Sequence, residues 1–237
     1  MRKHLSVLML FMRSTLYKFL LIVLSMAAAE SVFFALAFRD AKFYFGLDTI
    51  LATSRLPIVC AVGFLLLCAL MCLPGCEFGS KQGYTLSRLR ISQRMVFLWQ
   101  SVNNAGLLLL FWAAQVGIIF AFCSINTKYY PQPQATMLVF YANDFLHSLL
   151  PLEETAHIVC NIIIFIALAA TSACFSVNMR RGKKPIAFFI LVLILVRFFS
   201  RAISNVGTDL AISIAAIIFS AFAVYFVLEE PDDEELS

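Results

Sequence analysis

Hydrophobic residues along this chain form uninterrupted blocks, each long enough to cross about 30 Å of hydrocarbon as an α-helix. An amphipathic helix of a soluble protein would carry a polar residue at every third or fourth position, and these blocks do not. Because a backbone in lipid must satisfy its own hydrogen bonds, each block is predicted to be helical. The pattern predicts an all-α integral membrane protein with a single transmembrane domain, whose six spans cover residues 16–38, 57–73, 95–123, 157–177, 185–204 and 208–228.

Basic residues between these blocks are concentrated on one side of the predicted bundle. The other side has only Arg39, Lys42, Arg55 and Lys128. Since short cytoplasmic loops are enriched in Lys and Arg, both ends of the chain are predicted to be cytoplasmic, and the acidic tail over 229–237 does not oppose this. The residues on the predicted cytoplasmic side are Arg2, Lys3, Arg13, Lys18, Lys81, Arg88, Arg90, Arg94, Arg180, Arg181, Lys183 and Lys184.

The segment before the first span, residues 1–15, is apolar between basic residues and too short to cross a bilayer. It is predicted to be an amphipathic helix that lies in the membrane interface. A second interpretation makes the first span a cleaved signal peptide, because Ala27 and Ala29 form an A-x-A site. The apolar run continues to Phe38 and favours a retained helix.

Composition narrows the class of protein further. Hydrophobic residues make up 62% of the 237 positions and charged residues 14%, which excludes an ordinary soluble domain. The net charge of +4 comes from short basic connections, so membrane lipid is the expected partner and nucleic acid is not. Seven cysteines, mostly inside the apolar blocks, do not form a disulfide framework, and no metal or cofactor is predicted.

The connection over residues 79–94 is the most informative segment. Apolar and basic residues alternate there, and such a stripe can dock into a groove of a soluble partner while arginines pair with its carboxylates. The alternative is that the arginines only hold the loop inside and contact lipid phosphates. The residues concerned are Tyr84, Leu86, Arg88, Leu89, Arg90 and Arg94.

This layout, with a basic interfacial helix, six spans and a Gly-Tyr-Thr-Leu-Ser-Arg-Leu-Arg segment after the second span, resembles the permease subunits of exporter-like ABC transporters, including bacteriocin and lantibiotic immunity permeases. The resemblance implies that Tyr84 to Arg94 is a coupling helix. It also implies a cytoplasmic ATP-binding-cassette ATPase and a second permease subunit as partners in the plasma membrane. The chain has no Gly-x-x-x-x-Gly-Lys-Ser/Thr motif, so nucleotide would bind to another polypeptide.

Two sets of polar residues lie inside the predicted spans. A charge in the membrane needs a partner or a cavity, and matching depths predict an ion-paired cluster of Glu30, Arg197, Arg201 and Asp209 in the outer half. This cluster either locks helices together or contacts substrate. In the third span, Gln100, Asn104 and Gln115 share one helix face, which favours interhelical hydrogen bonds over a transport path.

The predicted external connection, residues 124–156, has an apolar share that predicts short helices on the outer face of the membrane. Glu153, His157 and Asn161 recur every four residues beside Glu154, and His147 precedes them. These residues resemble the Glu-Glu and His-x-x-x-Asn elements of intramembrane CAAX-type proteases. No arginine follows at the position that family requires, and residues of a single helix cannot surround a catalytic water.

Three hypotheses for function follow from the sequence. The first is a non-catalytic permease subunit that moves an amphipathic peptide, lipid or drug-like molecule with energy from a separate ATPase. The second is a membrane scaffold or accessory subunit without transport activity, and the third is the intramembrane hydrolase.

Overall fold

The computed structural model describes residues 2–40, 50, 51, 53–76, 92–129, 135–151, 154–180, 186–199 and 206–229, and among them it contains helices and no strand. We number the helices in chain order. They are α1 (Arg2–Asp40), α2 (Leu56–Cys76), α3 (Gln93–Tyr129), α4 (Ala135–Ala142), α5 (Asp144–Leu149), α6 (Thr155–Arg180), α7 (Ala187–Phe199) and α8 (Val206–Glu229).

Five of these helices are long and apolar enough to span a membrane: Ser6–Arg39, Leu56–Pro74, Gln93–Asn126, Thr155–Arg180 and Val206–Glu229. The predicted all-α class is therefore confirmed among the described residues, and five of the six predicted spans contain a helix of suitable length and polarity. The remaining predicted span, 185–204, contains the 13-residue helix α7, which is about 20 Å long at 1.5 Å per residue. Residues 200–205 lie outside the described part of the chain.

The first helix differs from the prediction. Residues 2–40 form one continuous helix, with no separate interfacial helix over 1–15. No proline or glycine interrupts this stretch, so nothing in the sequence breaks the backbone ladder. Val7 and Phe11 are buried against Val96 at the start of α3, so this part of α1 packs on another helix.

Contacts between the long helices fix their relative directions. Near their starts α1 and α3 meet at Val7 and Val96, and near their ends the rings of Phe34 and Phe122 stack with centroids 4.4 Å apart, so α1 and α3 are parallel. In contrast, Asn104 early in α3 bonds to Ser172 late in α6, so α6 runs in the opposite direction.

The last two helices extend this pattern. Phe188 at the start of α7 lies against Phe175 near the end of α6, with ring centroids 5.9 Å apart. Asp209 at the start of α8 bonds to His157 at the start of α6. Phe175 and His157 are about 27 Å apart along α6. The chain therefore travels most of the length of the bundle between residues 188 and 209.

The core of the bundle is apolar and lies where α1, α2, α3 and α6 meet. Gly63 of α2 allows close packing there, because a Cβ at this position would lie 2.7 Å from Sδ of Met26 on α1. The predicted external segment contains the short helices α4 and α5. Residues Phe145 to Leu149 of α5 are buried, so this helix is part of the bundle rather than a surface cover.

Candidate functional site

An apolar cavity of about 280 Å³ lies between α2, α3, α5, α6 and α7. It is found toward the end of the bundle at which α2 begins, and Pro57 and Ile58 lie on its wall. Trp112 and Gln115 contribute from α3, and Gln115 is the polar member of an otherwise apolar lining. Its volume lies just below the range of roughly 300–1,000 Å³ that is typical of small-molecule pockets.

The short helix α5 closes one side of this cavity with Phe145 and Leu149. Asn143 caps the helix, because its side-chain oxygen accepts hydrogen bonds from the backbone N–H groups of Phe145 and Leu146. The far end is held by the indole of Trp112, whose Nε1 donates to the carbonyl oxygen of Leu149 at 2.9 Å. α5 is thus attached to the bundle by a wall residue of the cavity.

Asn161 of α6 provides a second attachment for α5. Its Nδ2 donates to the carbonyl oxygen of Ser148 at 3.2 Å. An element this short has little helical stability of its own, so its position depends on these side-chain bonds and on burial of its apolar residues. The sequence did not predict that Trp112 holds α5 in place, because its hydrogen-bond partner is a backbone carbonyl 37 residues away.

A buried polar pair lies beside the cavity. Gln115 Nε2 donates a hydrogen bond to Oε1 of Glu30 on α1 at 2.9 Å, and both residues are fully buried. The second oxygen of Glu30 and the amide oxygen of Gln115 have no hydrogen-bond partner among the described residues. A charge at the centre of a bilayer costs about 2.5–3.5 kcal/mol, so one neutral amide is a poor match for this carboxylate.

The other two residues of the predicted polar stripe bond to α6. Asn104 Nδ2 donates to Ser172 Oγ at 2.8 Å, and Gln100 Oε1 accepts from an Arg180 guanidinium nitrogen at 3.1 Å. Both amide side chains are buried. The stripe therefore contacts two neighbouring helices, with Gln115 directed to α1 and the other two to α6.

The predicted four-residue charge cluster has only two members whose side chains the structure describes. Glu30 bonds to Gln115, whereas Asp209 bonds through Oδ2 to Nδ1 of His157 at 3.2 Å. The side chain of Arg197 and the whole of Arg201 lie outside the described residues, so their predicted pairing stays a prediction.

The residues of the hydrolase hypothesis separate in space. His157 contacts Asp209, and its imidazole, one oxygen of Asp209 and one of Glu154 lie within 4.8 Å of one another. Asn161 instead bonds to Ser148, and Glu153 lies outside the described residues. His157 and Asn161 thus bond to different parts of the protein. The side chains of Glu154, His157 and Asp209 lie close enough together to offer one ligand atom each to a metal ion.

Of the predicted coupling residues only Arg94 is described, because 77–91 lie outside the described part of the chain. Its guanidinium donates to the carbonyl oxygen of Leu228 at 3.5 Å on the bundle surface. The start of α3 and the end of α8 therefore lie at the same end of the bundle.

Searches with this chain against models of protein families, against curated proteins and against solved structures find no match.

Proposed function

We propose that this chain is the membrane permease subunit of an ABC transporter and moves an amphipathic molecule with energy from a separate ATPase subunit. The observation that carries the proposal is the apolar cavity of about 280 Å³ among helices that are themselves long enough to span a membrane. An apolar lining of this kind suits the apolar part of an amphipathic molecule.

The directions of the helices support six crossings. α6 and α8 are parallel, and α7 begins beside the end of α6 whereas α8 begins beside its start, so the connection from α6 to α8 makes a further pass along the bundle. This pass adds a sixth crossing to the five long helices. With an even number of crossings, both ends of the chain lie on the same side of the membrane.

The positions of basic residues support the proposal that both ends of the chain lie on the cytoplasmic side of the membrane. Arg94 and Arg180 lie at the end of the bundle where α1 begins and α8 ends, while Arg39 and Lys128 lie at the opposite end. With the additional basic residues that the sequence places near Arg94 and Arg180, the first of these ends is the cytoplasmic one under the positive-inside rule. The cavity then lies in the outer half of the membrane.

The ATPase partner rests on the resemblance of residues 79–94 to a coupling helix. In the proposed mechanism, ATP-driven movement of this segment changes the packing of α2 and α3 around the cavity. Arg94 at the start of α3 belongs to that segment, so a displacement there acts directly on the helix that carries Trp112 and Gln115.

Co-purification and transport measurements test this proposal. We expect an ATP-binding-cassette protein from the native host to accompany the full chain, and Leu89→Asp with Arg90→Glu to abolish its association and transport. Leu109→Val on the exposed surface of α3 is a control that changes a position away from the coupling segment and keeps it apolar. Retention of transport in the double variant, or purification without any ATPase, would refute the permease assignment and favour a scaffold.

A further inference from the structure

Three side chains with metal-binding atoms meet where α6 and α8 begin. Nδ1 of His157 lies 3.2 Å from Oδ2 of Asp209. One ligand atom from each of these residues and one carboxylate oxygen of Glu154 all lie within 4.8 Å of one another. The sequence predicted no metal here, because only the fold brings the start of α8 beside the start of α6.

The two candidate ligands of α6 lie on one face of the helix. The carbonyl oxygen of Glu154 accepts a hydrogen bond from the backbone N–H of Ile158 at 3.1 Å, so Glu154 is in helical register with the residues after it. Residues three apart are neighbours on a helix surface. Helical bundles that bind metals use the same Glu-x-x-His spacing to direct two ligands toward one ion. Glu154 and His157 have this spacing.

The third candidate ligand is held in place by the packing of α8 on α6. The carbonyl oxygen of Asp209 accepts a hydrogen bond from Oγ of Ser213 at 2.7 Å and one from Sγ of Cys160 on α6 at 3.4 Å. Cys160 lies three residues after His157, so the first turn of α8 is bonded to α6 beside the imidazole. Ligands on two helices that are fixed against each other form a more precise site than ligands on loops.

The distances suit a transition-metal ion. Zinc binds imidazole nitrogen and carboxylate oxygen at about 2.0–2.2 Å, so two ligand atoms of a tetrahedral zinc ion lie about 3.4 Å apart. The 3.2 Å between Nδ1 of His157 and Oδ2 of Asp209 is close to this distance. The side chain of Glu154 is only partly buried, so a change of its rotamer can bring the third oxygen to the ion.

The cluster also lies where an ion can reach it. His157 and Asp209 are buried, whereas Glu154 is partly exposed. The neighbouring Thr155 and Gly207 are exposed at the ends of their helices. The three ligands therefore have packed helices on one side and the surface of the bundle on the other.

We propose that Glu154, His157 and Asp209 bind a zinc ion that joins α6 to α8. Nδ1 of His157 is available to the ion in the neutral tautomer that carries its proton on Nε2. A mixed nitrogen and oxygen donor set favours zinc over magnesium and calcium, which prefer oxygen ligands. Three protein ligands leave one coordination position for water. This inference does not depend on the proposed transport function.

Zinc binding is measured on the full chain in detergent, after purification through an affinity tag that contains no histidine and treatment with a chelator. Calorimetric titration with zinc gives the stoichiometry and Kd, and elemental analysis after dialysis gives the metal content. We expect one zinc ion per chain at this cluster and a higher melting temperature when zinc is present. Magnesium at the same concentration should produce neither effect.

Substitutions of the ligands locate the ion. His157→Gln, Asp209→Asn and Glu154→Gln should each weaken zinc binding at least tenfold, since loss of an outer-shell partner alone typically costs 10–100-fold. Glu154→Gln changes a partly exposed side chain and should leave the fold intact. His147→Gln is the matched control, because it removes a buried imidazole of α5 that does not belong to the cluster, and it should bind zinc as the parent does.

A parent protein that binds no zinc would overturn the inference, and His157 and Asp209 would then form only a hydrogen-bonded pair. The predicted pairing of Asp209 with Arg201 would gain support from the same result. Zinc binding that is unchanged in all three ligand variants would place the ion elsewhere and overturn the inference as well. Cooperative melting of each variant in zinc-free buffer shows that it is folded, so its loss of zinc binding supports the proposed site.

Discussion

Glu30 on α1 and Gln115 on α3 form a hydrogen bond of 2.9 Å between two fully buried side chains. It joins two parallel helices, of which α3 lines the cavity. A hydrogen bond between membrane helices contributes about 0.6 kcal/mol to stability on average. Removing one partner costs more, because the other polar group stays buried without a hydrogen bond.

Gln115→Leu should destabilise the protein by about 1–3 kcal/mol, because it leaves the Glu30 carboxyl group without its donor. Replacing both partners, with Glu30→Met and Gln115→Leu, should recover most of this loss because no buried polar group remains. Unfolding by dodecyl sulfate in mixed micelles measures both. A double variant less stable than the single one would show that Glu30 has another stabilising partner.

Trp112→Phe should lower the stability of the bundle by about 0.5–1.5 kcal/mol and loosen α5, since it removes the bond to the Leu149 carbonyl. Trp99→Phe is a matched control, because Trp99 Nε1 is buried without a hydrogen-bond partner among the described residues. Thermal unfolding in detergent compares them. Equal losses would mean that the bond to Leu149 does not hold α5.

Gly63→Ala should destabilise the packing of α1 on α2 by about 1–3 kcal/mol, because the new Cβ would lie 2.7 Å from Sδ of Met26. Gly106→Ala should be neutral or gain up to about 1 kcal/mol, since no atom lies within 4 Å of its added Cβ. The melting temperatures of the two variants test this contrast. A stable Gly63→Ala protein would mean that Met26 moves aside at little cost.

His157→Ala should destabilise the start of α6 more than His157→Gln, by about 1 kcal/mol, because the glutamine amide can still donate to Asp209. Val159→Ala, at an exposed position two residues away, serves as control. If His157→Ala and His157→Gln keep normal stability and both lose the function of the protein, the imidazole has a chemical role and the hydrolase hypothesis gains support.

The sequence predicted the membrane-spanning helices well because their lengths and polarity are imposed by the bilayer. Pro57 and the uninterrupted apolar runs mark their limits, and apart from the start of α1 the observed bounds of the five long helices differ from the predicted ones by a few residues. The prediction of a break in α1 failed because interfacial burial and burial against α3 need the same apolar residues, including Val7 and Phe11.

The sequence predicted less of the cavity and of the buried pair beside it. Burial of Gln115 followed from the shared face with Asn104, but its partner Glu30 is 85 residues away and was assigned to a different cluster. The cavity depends on how α5 folds against α3 and α6. Only the three-dimensional packing brings Phe145 and Leu149 next to Trp112.

The proposed topology, with both ends of the chain on the cytoplasmic side and the cavity in the outer half of the membrane, depends on a sixth crossing between residues 186 and 206. Ile186 and Val206 are equally exposed, with 67% of each side chain accessible, so single cysteines at these positions in a cysteine-free protein are comparable probes. We predict that a membrane-impermeant maleimide labels Val206→Cys in intact cells and labels Ile186→Cys only after permeabilisation. Labelling of both positions from the same side would contradict the account.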